Sequence, residues 1–415
     1  MTTQSSASCP FRIDGAGTDI HSEATALRAL GPATRVELPG EVAAWSVTDP
    51  NLIRRLLTHP DISKDARHWP AFTNGDIPAD WPLQVWVKVR NALSAYGSEH
   101  TRLRRPLAAA FNPRRVRALG PQITQITRQL LDELNNTAPG EIVDLRDRFA
   151  FRLPLLVVNA ILGVPEHLHD GFRATIGDLF DTSLTEQEAA AALTEIYRLL
   201  NLLVEAKSEE LADDVTSTLI AGHHSGTLNG QELLDSLLLV ISAGHETTVS
   251  LLTHAVVNLL THPDQHALVI SGKVTWEHAI EETLRHQAPI ASIIMRFPTR
   301  DIVDKPTGLT FQPGDAIVIN YAAAGRDPRV HGADADTFDV TRTTAREHLA
   351  FGFGPHFCPG APLARLEASI ALPMLFGAYP DLRLAIGPEE LKPLPSFISN
   401  GHQHLPVRLR PPAKS

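Results

Sequence analysis

Cysteine is nearly absent from this chain: its 415 residues hold two, Cys9 and Cys358. Two residues so far apart cannot build a disulfide framework, which excludes a stapled secreted scaffold and points to a reducing cytoplasm. Met1 to Phe11 has neither the basic nor the apolar segment of a secretory leader. No stretch is expected to reach the length of a membrane span, so no membrane anchor is expected. Repeats, low-complexity segments and obvious linkers are missing too, and residues 1–415 read as a single domain with a sizeable core. Positive charge is in deficit: the formal net charge of −10 excludes nucleic-acid binding as a whole-protein property.

What fills the chain is helical periodicity, over Val116 to Asn135, Leu153 to Leu162, Glu186 to Leu211 and Ala279 to His286. Short strand signals lie around it. One hairpin reads as Arg35 to Leu38 and Glu41 to Val47 about Pro39-Gly40, a second as Leu309 to Phe311 and Ala316 to Asn320 about Pro313-Gly314-Asp315, and Pro395 to Leu409 looks like irregular strand. The fold class is therefore mainly α with small β-sheets (α+β). The longest helix should start at Asn229, with Glu232 completing a capping box, and end at Thr261-His262-Pro263. About thirty residues at ~1.5 Å each span roughly 45 Å, enough to cross the whole molecule, and its apolar residues cover every face.

Two stretches stand out against this background. Phe351-Gly352-Phe353-Gly354-Pro355-His356-Phe357-Cys358-Pro359-Gly360 sets one cysteine in a loop of glycine, proline and aromatic residues. Gly352, Gly354 and Gly360 allow the backbone to wrap tightly round a sulfur, and Phe351 and Phe357 offer flat apolar surface to a planar cofactor. The helix expected from Gly360 to Phe376 would aim its N-terminus at the sulfur and lower the thiol pKa. A buried structural cysteine is the plainer alternative. The second stretch, Ala243-Gly244-His245-Glu246-Thr247-Thr248, puts polar groups inside the apolar helix, where burial penalises them.

The loop pattern Phe-Gly-x-Gly-x-His-x-Cys-x-Gly resembles the haem-binding signature of the cytochromes P-450, and every fixed position is filled. Pro359 stands where many relatives have Leu. The helical motif resembles the same family's oxygen-activation motif. The resemblance implies the P-450 fold with a long central helix over haem b, Cys358 as the axial iron ligand, and Ala243 and Gly244 beside the dioxygen site. It implies that Thr247 and Glu246 are catalytic, serving proton supply, and gives His245 no role. Glu282 and Arg285, with Arg342, match the family's structural Glu-x-x-Arg triad. His100, Arg104, Arg296 and His356 match its propionate partners, with Phe351 and Gly360 also against the cofactor. Pro106, two residues after Arg104, departs from the usual pattern and is expected to kink that helix.

The implied reaction is insertion of one oxygen atom from O2, by hydroxylation or epoxidation, into an apolar small molecule of steroid or polyketide/macrolide type, as in bacterial secondary metabolism. Electrons would come from a ferredoxin and an NAD(P)H-dependent ferredoxin reductase, since no flavin or iron–sulfur segment is present. Between Thr101 and Arg117 lie six arginines and no acid, which read either as a solvated face or as the ferredoxin-docking face of a monomer. Substrate contacts are expected from Trp86, Phe180, Leu239, Ala243, Ile290, Ile293, Ile294 and Phe397. The intact Glu246–Thr247 pair argues against a haem-thiolate sensor and against a peroxygenase, which would not need it.

Overall fold

The computed structural model describes residues 10–78, 81, 83–180 and 184–412, without the side chains of Val85, Asp178, Phe180 and Glu186; Cys9 lies outside the described residues. Helices make up most of the chain, and three small sheets border them. The largest sheet orders its strands as Phe11–Arg12, Ala33–Leu38, Val42–Val47, Ile317–Asn320, Ser292–Pro298 and Ile62–Ser63. The first hairpin forms as expected, with Ala33 opposite Val47 and Leu38 opposite Val42.

The central helix runs Gly230–Thr261. Asn229 Oδ1 accepts from the Glu232 N–H at 2.9 Å while Glu232 Oε2 accepts from the Asn229 N–H at 3.0 Å, the reciprocal cap read from the sequence. Pro263 opens the next helix. The helix packs on Arg152–Leu162, Trp276–His286 and Ala361–Ala378, and Leu237, Ile241, Val249 and Leu252 are essentially inaccessible. Each such side chain contributes about 1.5–3 kcal/mol by leaving water. By length and composition this helix could cross a membrane, which corrects the expectation that no stretch could; 72% of its most apolar window is buried inside the protein, as for a core helix.

Three expectations fail locally. Val116 to Asn135 is two helices, Pro113–Ala118 and Gly120–Leu134, because Pro121 removes a backbone donor and restarts the helix in its first turn. The Glu186 helix ends at Glu209, short of Leu211. The second hairpin does not form: Leu309–Phe311 pairs with Ile302–Asp304, and Ile317–Asn320 leaves to lie between Val42–Val47 and Ser292–Pro298. All four residues of Ile317–Asn320 are buried, a central strand's pattern that a three-residue hairpin partner could not cover.

In the helix Trp276–His286, Glu282 and Arg285 are wholly buried. Arg285 donates two hydrogen bonds of 2.7 Å to the Glu282 carboxylate and three more to the carbonyls of Gly325, Ala335 and Thr337. All five of its N–H donors are thus used. Arg342 reaches the same carboxylate at 3.4 Å and pairs with Asp334 at 3.0 Å. Gly325 has to be glycine, because a Cβ there would lie 2.2 Å from the Arg285 carbonyl oxygen. Glu282→Ala leaves a buried guanidinium without its anion and should cost about 3–5 kcal/mol, read as a lowered urea midpoint at unchanged slope. A loss under ~1 kcal/mol would show that water reaches Arg285.

Candidate active site

Gly352 and Gly354 take φ of +73° and +71°, the left-handed turns the cysteine loop requires. Gly354 also presses on a neighbouring helix: a Cβ there would lie 3.0 Å from the Leu57 carbonyl oxygen. The Cys358 N–H donates to the Phe351 carbonyl at 2.9 Å, closing the loop, and the helix Ala361–Ala378 follows with Pro362 in its first turn. Burial pushes the Cys358 thiol up, outweighing the downward pull of the Gly360 and Ala361 N–H groups, Arg104 and Arg365. The expected lowering by the helix end is present but is not the larger effect.

Cys358, Pro359 and Gly360 form one wall of a cavity, and Leu239, Ala243, Gly244 and Thr247 of the central helix form the facing wall. Leu239, Ala243 and Thr247 are four apart, so one stripe of an otherwise buried helix opens here. At the rim sit Arg104, Arg296 and His356, with the His100 ring 4.1 Å from that of His356. His100 Nε2, His356 Nδ1 and Arg296 Nε are buried without a hydrogen-bond partner. Burial, then Arg104 and Arg296, lowers His100 to about 4, leaving it neutral near pH 7; burial lowers Arg296 to about 10. Pro106 does not displace Arg104: the helix Gly97–Ala110 continues through it, and Arg104 donates to the Phe357 carbonyl of the cysteine loop.

The oxygen-activation motif is placed less uniformly. Thr247 Oγ1 faces the cavity and donates to the Ala243 carbonyl at 2.7 Å. Glu246 is not brought to the cavity; it is buried against Arg146 at 2.8 Å, and burial raises its pKa while Arg146 opposes the rise. His245, left without a role, donates from Nε2 to the Phe151 carbonyl at 2.9 Å and so ties the two helices. Gly244 lines the cavity beside Val158 of the neighbouring helix, and a Cβ there would lie 3.0 Å from Val158 Cγ2.

Trp86, Ile290 and Ile293 line the cavity, whereas Ile294 and Phe397 are buried in an adjoining core with Met295 and Phe297. Strand residues alternate sides, so Ile293 and Ile294 cannot both face the cavity. A register shift between Ile293 and Arg296 then turns Arg296 back toward it. The Phe180 side chain lies outside those described. Phe351 reaches the cavity with the Arg365 guanidinium 4.5 Å over its ring, held by Glu281 at 2.5 and 3.0 Å, and His348 reaches the same carboxylate at 3.0 Å. The sequence reading missed that network, as well as Lys64, Tyr321 and Glu367 on the cavity wall. Glu367 had a signal: it sits four residues after Leu363 and four before Ala371 on a buried helix face.

A family model described as Cytochrome P450 matches residues 276–380. Over 404 residues, 97% of this chain and 98% of the relative, the sequence is 38% identical to the 2-hydroxy-5-methyl-1-naphthoate 7-hydroxylase of Streptomyces carzinostaticus. The chain belongs to the cytochrome P450 family. CYP154A1 from Streptomyces coelicolor A3(2) superposes with a TM-score of 0.91 at 50% identity, over 96% of this chain and 100% of that one. Testosterone-bound CYP154C4 from Streptomyces sp. ATCC 11861 gives 0.92 at 40% identity, over 97% and 99%. This P450 therefore has the P450 fold and is a monooxygenase of the bacterial kind, in a family whose cofactor is a haem held by a thiolate. The cavity fits such a group, with a sulfur on one wall and buried donors at the rim that have no protein acceptor.

The Gly244–Val158 approach carries a prediction about this P450. Ala at 244 gains about 1 kcal/mol of helix propensity but meets the Val158 methyl. Gly244→Ala should therefore be more favourable in a Val158→Ala background than alone, by at least ~0.5 kcal/mol in a denaturation double-mutant cycle. Additive effects would remove this contact as the reason for glycine.

Proposed function

We infer that this P450 binds haem b with Cys358 as the axial ligand and oxygenates a neutral, rigid, apolar small molecule, of steroid or polyketide/macrolide type. The observation that carries the reading is one cavity lined by Cys358, Thr247, Arg296 and His356, where buried nitrogens of Arg296, His356 and the adjacent His100 lack a hydrogen-bond partner. Bound there, the haem supplies dioxygen activation and one-electron chemistry. His100, Arg104, Arg296 and His356 hold its carboxylates. Ala243, Gly244, Phe351 and Gly360 border its faces. Thr247 keeps its own proton on the Ala243 carbonyl, so its oxygen lone pairs are free to hold a water proton at the cavity. Glu246, engaged by Arg146 behind the helix, is the more remote source of that proton.

Leu239, Ala243, Ile290 and Ile293 offer substrate no charge partner, and a relative bound to testosterone and another named a naphthoate hydroxylase support a ring-system substrate. Electrons come from a ferredoxin and its NAD(P)H-dependent reductase, to a cytoplasmic monomer of one domain. The arginine run supports docking only in part: Arg102 is taken by Glu232, Arg115 bridges to Asp213 and Arg104 turns inward, leaving Arg105, Arg114 and Arg117 outward. Exposed Phe353 and Phe357 flank the cysteine loop and extend that surface.

Two measurements test the reading. The reduced protein under carbon monoxide should show the red-shifted Soret band of a thiolate trans ligand, and Cys358→His should abolish it; survival of the band would reassign the ligand. Steroids should shift the ferric spectrum from low to high spin, and Ala243→Phe should weaken that titration at least tenfold by filling the cavity. A screen in which only sugars, amino acids or nucleotides shift the spectrum would leave the haem in place and overturn the substrate class.

A further inference from the structure

Lys64 lies just after the edge strand Ile62–Ser63, only 4% exposed, and nothing in its sequence neighbourhood marks it. It opens on the same cavity as Arg296 and His356. Its one hydrogen bond among the described residues goes to the Ile294 carbonyl, 2.7 Å away, leaving two of its three N–H donors without a protein acceptor. Among the described residues no carboxylate pairs with it, and the one acidic side chain on the cavity wall is Glu367, itself fully buried with both oxygens unpartnered. Burial and the nearby Arg296 hold Lys64 well below the usual lysine range, and Lys64 in turn acts on His356. A lysine buried beside a second cation with no anion is costly, and a short neutral side chain would fill the space without that cost. The site is arranged for an anion that this chain does not encode.

We propose that Lys64 is a further carboxylate-binding residue of the cofactor site, donating to a haem propionate from the strand side while Arg296 and His356 donate from the sheet and the cysteine loop. The proposal rests on the haem reading above. Two propionates can accept from several donors at once, and Lys64, with two donors free, adds an ammonium to the guanidinium and imidazole groups that line the same cavity. The Ile294 carbonyl acts as the positioning contact: it fixes the ammonium so that its remaining donors point into the cavity. The register shift between Ile293 and Arg296 sets Ile294 and Arg296 on opposite sides of one strand turn, bringing a carbonyl to Lys64 and a guanidinium to the same rim.

The experiment compares purified wild-type, Lys64→Met and Lys64→Arg holoproteins. Met is close in length and neutral, so Lys64→Met should release haem to apomyoglobin on the order of tenfold faster, the size expected for one charge-assisted hydrogen bond. Its ferric/ferrous reduction potential should also fall, since a positive charge near the cofactor is gone. Lys64→Arg should keep the slow release but shift the propionate bending modes in resonance Raman spectra. If Lys64→Met does not hold its fold, those modes decide: a spectrum of Lys64→Arg identical to wild type overturns the proposal. Unchanged haem release and potential in Lys64→Met, with wild type carrying the thiolate band, would overturn it while leaving the haem reading intact. So would unchanged release accompanied by loss of the spin shift given by carboxylated ligands, which would assign Lys64 to substrate. A wild-type protein without the thiolate band would instead sink the haem reading itself.

Discussion

The Arg285 guanidinium spends all five donors on oxygens that come from four separate points of the chain. One is the carboxylate a turn away on its own helix; the others are carbonyls spread from Gly325 to Thr337. No water reaches the group, so the attraction works at low dielectric, where a lost partner is expensive. The segment it gathers leads directly to Arg342 and on to the cysteine loop. The loop is also held by its two left-handed glycines, the backbone bond across its neck, Arg104 on the Phe357 carbonyl and Arg365 over Phe351. Its position therefore rests on the ion pair behind it together with these direct contacts.

A second electrostatic pattern runs the opposite way. The cavity wall carries several cations and one acid, Glu367, which burial holds well above the usual carboxylate range, while two further acids are spent behind it. Glu246 faces Arg146, and Glu281 is shared by His348 and Arg365. Burial works to raise Glu281, yet the hydrogen bonds from His348 and Arg365 carry it down to about 2, so it stays ionised throughout the physiological range. Those two carboxylates are thereby kept off the place where an incoming anion must sit. That segregation of charge agrees with an anionic cofactor and an otherwise uncharged ligand space.

What could be read in advance follows the range of the physics involved. Caps and turns act over a few residues, so the Asn229–Glu232 box was legible to the residue and the Pro39-Gly40 hairpin to within two residues at its strand ends. The Glu282–Arg285 pair and the cysteine loop were legible because their residue types recur at fixed spacing in a known family. Features set by the far side of the molecule were not. The shift that sends Ile293 and Arg296 to the cavity and Ile294 away from it is a property of strand pairing. Ile317–Asn320 joined a distant strand because four buried residues outweigh a good turn. Lys64 had no local mark, since its partners lie more than two hundred residues away.

Gly244 borders the cavity together with Val158, and its missing side chain lets the helix Arg152–Leu162 come within a single methyl's reach. A cylinder held that closely at one point cannot turn about its own axis. Advancing by one residue rotates an α-helix by about 100°, enough to carry Leu239, Ala243 and Thr247 away from the places they hold on the wall. The contact thus behaves as a key in a keyway. What the central helix presents to the ligand space is set by a fit between two residues of the cavity's own wall.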